Sequence, residues 1–224
     1  MSTSPISSQW LPATAVQSVS SGGRAVRLCD ITIAMMAIFL LAPVLIVVTL
    51  AVIVGGGSGP ILFRHARIGR DGNVFYCLKF RTMQKDAEAR LEHLLASSPA
   101  HREEWERDHK LRRDPRITVV GRFLRVTSLD ELPQLWNVVI GEMSLVGPRP
   151  ITEAEIHRYR RYFADYARVR PGITGLWQIS GRNDVNYRRR VAMDVTYARS
   201  TSLGLYLRIL VLTVPAVLLA RGSA

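Results

Sequence analysis

The chain has 224 residues, with 30 Lys and Arg against 18 Asp and Glu, giving a net charge of +12. That length allows one domain with its own core plus a membrane element, and the positive balance suits nucleic acid, anionic lipid head groups or phosphorylated substrates. Neither cysteine, Cys29 or Cys77, has metal-ligand spacing with a histidine; both read as reduced and structural, with a cytosolic catalytic face.

A Ser-rich start, residues 1–23, reads as disordered. Ile31 to Val54 is then an unbroken apolar run without a charge, long enough as a helix to cross a hydrocarbon core of about 30 Å. Its length and the tail ahead of it argue against a cleaved signal peptide. Pro43 at its centre removes one helical hydrogen bond and clashes with the preceding turn, so a break or kink is expected there. Arg24 and Arg27 precede the run and Arg64, Arg67 and Arg70 follow it. The positive-inside rule therefore leaves a kinked single span and a re-entrant helix both open.

Gly55 to Pro60 reads as a hinge and lacks the Lys-Ser/Thr ending of a phosphate loop. Ile61 to Ile68 and Val74 to Phe80 are strand-like, and Asp71-Gly72 between them favours a tight hairpin turn. Strand alternation puts Lys79 and Arg81 on one face and Phe80 on the other. Lys85 to Lys110 reads as two amphipathic helices broken at Ser97-Ser98-Pro99, and Ile117 to Leu124 as a short strand or helix leading to Arg125.

Ser128-Leu129-Asp130-Glu131-Leu132 places two adjacent acids at the expected start of a helix in a strongly basic chain. Ser128 and Glu131 fit the S-x-x-E capping box, and acids suit the positive end of a helix. The same pair also suits chemistry: a carboxylate kept ionised by a helix terminus is a nucleophile toward phosphorus, and its neighbour can hold a metal ion. Leu132, Leu135, Trp136 and Val139 recur at helical spacing and give that helix a buried face.

Gly147-Pro148-Arg149-Pro150, Arg170-Pro171-Gly172 and Gly181-Arg182-Asn183 each present an arginine on a turn, the first two beside a backbone-fixing proline. A planar guanidinium matches phosphate oxygens. Singly each reads as an exposed turn; three such turns in a region holding the acidic pair point to a pyrophosphate site. Leu203 to Ala220 is apolar but contains Arg208 and Pro215, and reads as an interfacial helix.

Four stretches, Lys79-Phe80-Arg81-Thr82-Met83, Ser128 to Leu135, Gly147 to Pro150 and Arg170 to Gln178, resemble the bacterial sugar transferases, the monotopic polyprenyl-phosphate phosphoglycosyl transferases. The likeness runs in order from about Arg24 to Ala220 and is nearest in character to the short galactosyl-1-phosphate transferases of the succinoglycan type. It implies transfer of a sugar 1-phosphate from a UDP-hexose, galactose before glucose, to undecaprenyl phosphate, with UMP released and Mg²⁺ required. In that scheme Asp130 is the nucleophile, through a phosphoglycosyl-aspartate, and Glu131 with Asp130 holds the metal. Lys79, Arg125 and Arg149 match basic positions of the family's phosphate site, with Arg81, Arg170 and Arg182 as companions. The resemblance also implies a re-entrant helix broken at Pro43, both ends cytoplasmic, on the bacterial inner membrane among anionic lipids. Many relatives have Ser-Pro at the break; here it is Ala42-Pro43, so the proline alone carries the bend. Tyr206 stands where many relatives have an acid.

The expected fold is thus α+β and mostly helical, with a proline-broken re-entrant membrane helix, a small β-hairpin and amphipathic interfacial helices around a cytosolic catalytic domain. Its expected divisions are a tail (1–23), membrane helix and hinge (24–59), catalytic domain (60–200) and C-terminal helix (201–224). Self-association suits an interfacial protein, and oligomeric state is left open. Two rivals are a membrane-tethered nucleic-acid-binding regulator and a non-catalytic scaffold. A groove for phosphodiester backbones gains nothing from Asp130 and Glu131, so nucleic acid is not the expected partner.

Overall fold

The apolar run folds as two helices, α1 (Ser21–Leu40) and α2 (Ala42–Gly55), parted at Leu41 and bent by 64°. The structure, a computed structural model, describes residues 21–55, 59–108, 111, 114–180 and 185–218. The break falls just before Pro43, where it was expected, because Pro43 occupies the first turn of α2. There its missing N–H costs nothing, while its ring still clashes with the carbonyl one turn back. Among the described residues no single helix is long and apolar enough to cross a membrane, and only the bent pair meets that requirement together. The segment 56–58 of the expected hinge lies outside the described residues.

The fold is mostly helical, and its main sheet is the expected hairpin of β1 (Leu62–Ile68) and β2 (Val74–Phe80). A 3-10 turn over Arg70–Gly72 joins the strands, with Asp71 in the left-handed region at φ 57°, which Asp tolerates better than most residues. Helices α3 (Ala87–Ser97) and α4 (Pro99–Asp108) match the expected amphipathic pair, and Pro99 separates them. Ile117 forms an isolated bridge to Met83, after which the chain turns into α5 (Val119–Thr127).

By packing, the described chain falls into two compact units. One is built from α1, Arg64–Leu78 and the chain from Pro133 onward. It contains α6 (Gln134–Ile140), a short parallel pair of β3 (Ser144–Val146) and β4 (Gly172–Thr174), α7 (Ile156–Tyr159), α8 (Phe163–Ala167), α9 (Leu176–Ile179), α10 (Tyr187–Ser200) and α11 (Leu203–Leu218). Gly172 and Gly147 face each other so closely that a Cβ on either would overlap the other segment's backbone. The core of this unit gathers Ile68, Ile151, Tyr159, Phe163, Tyr166, Val191 and Val195. Tyr166, 1% exposed, donates through its hydroxyl to the Ile68 carbonyl at 2.8 Å and accepts from the Ile151 N–H at 3.3 Å.

Two charged residues of α1 fasten it within this unit. Arg27 donates to the carbonyls of Val138 and Val139 at 2.6 and 2.8 Å, placing a cation at the negative end of α6. Asp30, 1% exposed, accepts from the Ser144 hydroxyl, the Leu145 N–H and the Tyr206 hydroxyl. Tyr206 on α11 therefore has a structural task, donating its hydroxyl to the buried Asp30 at 3.0 Å.

The second unit holds α2 to Phe63 and Lys79–Leu132. Val48 and Val52 of α2 pack with Phe80 and Leu124. Thr118 caps α5 by accepting from the Gly121 N–H at 2.9 Å. Gly121 lies against the Thr82 carbonyl so closely that no side chain fits.

Tyr166→Phe in the first unit should cost about 1–3 kcal/mol, because it leaves two buried backbone groups without a partner; denaturant unfolding of the detergent-solubilised protein measures it.

Candidate active site

The site begins where α5 ends. Ser128 adopts φ 57°, ψ 16°, and its N–H closes α5 by donating to the Arg125 carbonyl. A non-glycine residue in that conformation is strained, and such strain persists where surrounding structure imposes it. Ser128 makes no side-chain cap, so the expected capping box is absent. An N-cap needs extended backbone, which Ser128 cannot have while it terminates the helix before it. Asp130 and Glu131 lie instead in a single 3-10 turn, Leu129–Glu131, ahead of α6. The helical face expected from Leu132, Leu135, Trp136 and Val139 is corrected too. Leu135 and Val138 are buried with Gln134 and Asn137, whereas Trp136 is 53% exposed. Asn137 explains the shift: its amide bonds the Leu78 N–H and the Tyr76 carbonyl, pinning that face of α6 to β2 within its own unit.

Released from capping, Glu131 takes a salt bridge from Lys79, Nζ to Oε1, at 2.6 Å. Asp130 is 9% exposed. Burial pushes its carboxyl above the ordinary carboxylate range; Lys79 opposes that shift, Glu131 adds to it, and Arg125 opposes it again. Arg125, itself partly desolvated, donates Nε–H to the Thr82 hydroxyl at 2.9 Å. The structure thus brings Lys79, Arg125, Asp130 and Glu131 to one place. Strand β2 stops at Phe80, and Arg81, just past its end, is 8% exposed. Its N–H is held by the Ile61 carbonyl.

Sequence reasoning missed two supports. Thr82, which fixes the Arg125 guanidinium, lies within the Lys79-to-Met83 stretch, but its pairing with Arg125 joins residues 43 positions apart and no local pattern shows it. Asp114 and Arg116 form a buried ion pair at 2.6 Å where only a turn was expected around Pro115. Its signal was available, since opposite charges two residues apart across a proline can fold onto each other.

Arg149 and Arg170 belong to the other unit. Arg149 is exposed and lies over the Trp177 ring at 6.0 Å, and its backbone N–H is bound by buried Asp194. Arg170 donates Nε–H to the Gly141 carbonyl at 2.8 Å, helping to cap α6. Arg182 lies outside the described residues.

Among the described residues no three His, Cys, Asp or Glu side chains gather to cage a metal. Asp130 and Glu131 nevertheless suit Mg²⁺, a hard ion that keeps several waters and needs only one or two carboxylates beside substrate phosphates.

Residues 23–220 match the family model described as "Bacterial sugar transferase". Among curated proteins, the chain is 49% identical to "Exopolysaccharide production protein ExoY" of Sinorhizobium fredii, over 90% of this chain and 89% of that protein. It is 50% identical to "UDP-galactose-lipid carrier transferase" of Erwinia amylovora and 47% identical to "Undecaprenyl-phosphate galactose phosphotransferase" of Salmonella typhimurium, over 88% of this chain and 41% of each.

The raised Asp130 pKa sets a stability test. Folding favours the protonated carboxyl, so ionising it costs stability; the cost is absent below the ordinary value of 3.8 and complete once the pH passes the raised one. Asp130→Asn should therefore melt above the parent at pH 7 to 8, with the gap closing as the pH falls toward about 4; calorimetry across that range measures it.

Proposed function

The chain belongs to the bacterial sugar transferase family, and on that premise we propose that it transfers a hexose 1-phosphate from a UDP-sugar to undecaprenyl phosphate, releasing UMP, to begin an exopolysaccharide repeat unit. The observation that carries this reading is a desolvated carboxylate, Asp130, on which the charges of Lys79, Glu131 and Arg125 act. Burial thins the hydration of the nucleophile, and the cations flanking it suit a phosphate rather than a neutral substrate.

In the proposed reaction an Asp130 oxygen attacks the sugar-proximal phosphorus of the donor. The bond from that phosphorus to the oxygen bridging to UMP breaks, and UMP leaves with the electron pair. The phosphoglycosyl-aspartate is then attacked at phosphorus by an oxygen of undecaprenyl phosphate, which breaks the acyl phosphate bond and returns Asp130 as a carboxylate. Asp130 must be ionised to begin, and Lys79 and Arg125 are the groups that hold its pKa down against burial. Asp130 and Glu131 would hold Mg²⁺, which would supply neutralisation of charge on the donor's phosphate oxygens. Arg81 and Arg125, with Arg149, Arg170 and Arg182 by motif resemblance, are assigned to phosphate binding. Galactose is the proposed sugar, from the names of the Erwinia and Salmonella relatives, with glucose next, after a relative from Klebsiella pneumoniae that is 38% identical.

The protein is proposed to sit on the cytoplasmic face of the bacterial inner membrane, with α1 and α2 as a re-entrant pair. Their bend and the exposed Val47, Leu50 and Ile53 of α2 support this. Helix α5 adds an interfacial surface: Val119, Phe123 and Val126, spaced along one face, are 89%, 61% and 54% exposed, while Leu124 on the other is buried. Anionic lipids suit the arginines that α5 also carries.

Purified protein with Mg²⁺ and undecaprenyl phosphate should release UMP from UDP-galactose, and Asp130→Asn should reduce that by about a thousandfold or more; lipid-dependent release that survives the substitution would sink the mechanism. Lys79→Met removes a cation that lowers the Asp130 pKa, so the acid limb of the kcat/KM profile should move to higher pH. Replacing Phe123 and Val126 together by Ser should weaken binding to anionic vesicles in a sedimentation assay.

A further inference from the structure

Helix α9 carries two polar groups that the fold leaves unsatisfied. Trp177 is 5% exposed, yet among the described residues its indole Nε1–H has no acceptor and Oε1 of the adjacent Gln178 is buried without a donor. Buried groups of either kind are costly unless a hydrogen-bond partner completes them, and a bound ligand is one that can. The charges around them indicate the sign of that molecule. The Arg190 guanidinium lies 4.7 Å from the centre of the Trp177 ring and that of Arg149 lies 6.0 Å from it. An indole face attracts a cation, but two guanidinium groups sharing one ring repel each other.

Both arginines are held in place. The Arg149 backbone N–H is bound by Asp194, which is 2% exposed and also accepts from the Tyr159 hydroxyl at 2.7 Å. Arg190 stands one helical turn before Asp194 on α10 and donates Nε–H to the Val185 carbonyl at 2.9 Å. Among the described residues two carboxylates act on these cations, Asp194 on both and Glu155 on Arg149, and each is engaged elsewhere. Glu155 is shared with Arg67 at 3.5 Å and with Thr152. Burial pushes the Asp194 carboxyl up to about 7, so it offsets only part of the charge near neutrality.

We propose that Trp177, Arg149 and Arg190 form a binding site for a phosphate ester, in which Arg190 and the indole N–H are ligand contacts not otherwise assigned. Oε1 of Gln178 asks for an N–H or O–H on the same molecule. A nucleotide carries such a donor beside its phosphate, whereas inorganic phosphate offers only a hydroxyl of its own. The nucleotide source, UMP or a UDP-sugar, rests on the transferase reading; a phospholipid head group is the other source of the same chemistry.

The test uses the full chain in detergent, with UMP titrated by calorimetry and phosphatidylglycerol vesicles by sedimentation. Trp177→Phe keeps an aromatic face but removes the N–H together with the pyrrole half of the indole; Arg190→Gln removes the charge, and Arg190→Lys keeps it. Trp177→Phe and Arg190→Gln should each weaken UMP binding about tenfold, with Arg190→Lys recovering part of the loss. If UMP binding is unchanged but vesicle binding falls by a similar factor, the phosphate ester is a lipid head group. If all three variants bind both probes as the parent does, the site is refuted. Should Arg190→Gln not fold, Trp177→Phe decides alone. Lipid-dependent UMP release by the parent is measured beside these titrations: its absence would overturn the transferase reading, while unchanged binding by the variants would overturn only the site.

Discussion

A carboxylate taken out of water in a protein of net charge +12 is the constraint around which the catalytic turn is organised. Burial raises the Asp130 pKa and so disfavours its reactive, ionised form. Lys79 and Arg125 restore its tendency to ionise, and each is fixed by a second contact, Lys79 by Glu131 and Arg125 by Thr82. The turn itself exists because Ser128 ends α5 in a left-handed conformation, bringing the two acids in immediately after that helix. Close packing of Gly121 on the Thr82 carbonyl keeps α5 against the segment that follows β2. Strain, burial and ion pairing are therefore parts of one arrangement, in which the stability given up at Asp130 is the condition for its reactivity.

The other unit is organised by polar anchoring of apolar helices. Arg27 and Asp30 stand just before the apolar run and hold α1 to α6, β3 and α11 through groups that are all satisfied. A helix surface as apolar as this one could slide along its neighbours; the directional bonds of one arginine and one buried aspartate specify its register. The same unit leaves Trp177 and Gln178 incomplete, and that contrast makes their orphan groups informative.

Local sequence signals were read well wherever the structure depended on near neighbours. The Asp71-Gly72 turn, the strands beside it, the two helices parted near Pro99, the break ahead of Pro43 and the apolar α11 all appear as expected. Failures came where a distant residue outcompeted a near one. Glu131 abandoned the cap for Lys79, 52 positions away in the chain, and Trp136 lost its place in the core to Asn137, which pairs with β2. Arg81, which alternation placed on one face with Lys79, lies just past the end of β2 and is buried.

What the sequence determined by itself is the chemistry that short motifs carry: adjacent acids among arginines, prolines that fix loops, an apolar run with a proline, and through these the family. Such features depend on residue type and close spacing, which are present in the chain before it folds. Tertiary structure alone decided which charges meet, that Asp130 is desolvated and its pKa raised, that Tyr206 completes the shell of Asp30, and that two arginines share one indole. Those outcomes rest on burial and on contacts between residues far apart in the chain, and both come into being only when the chain packs.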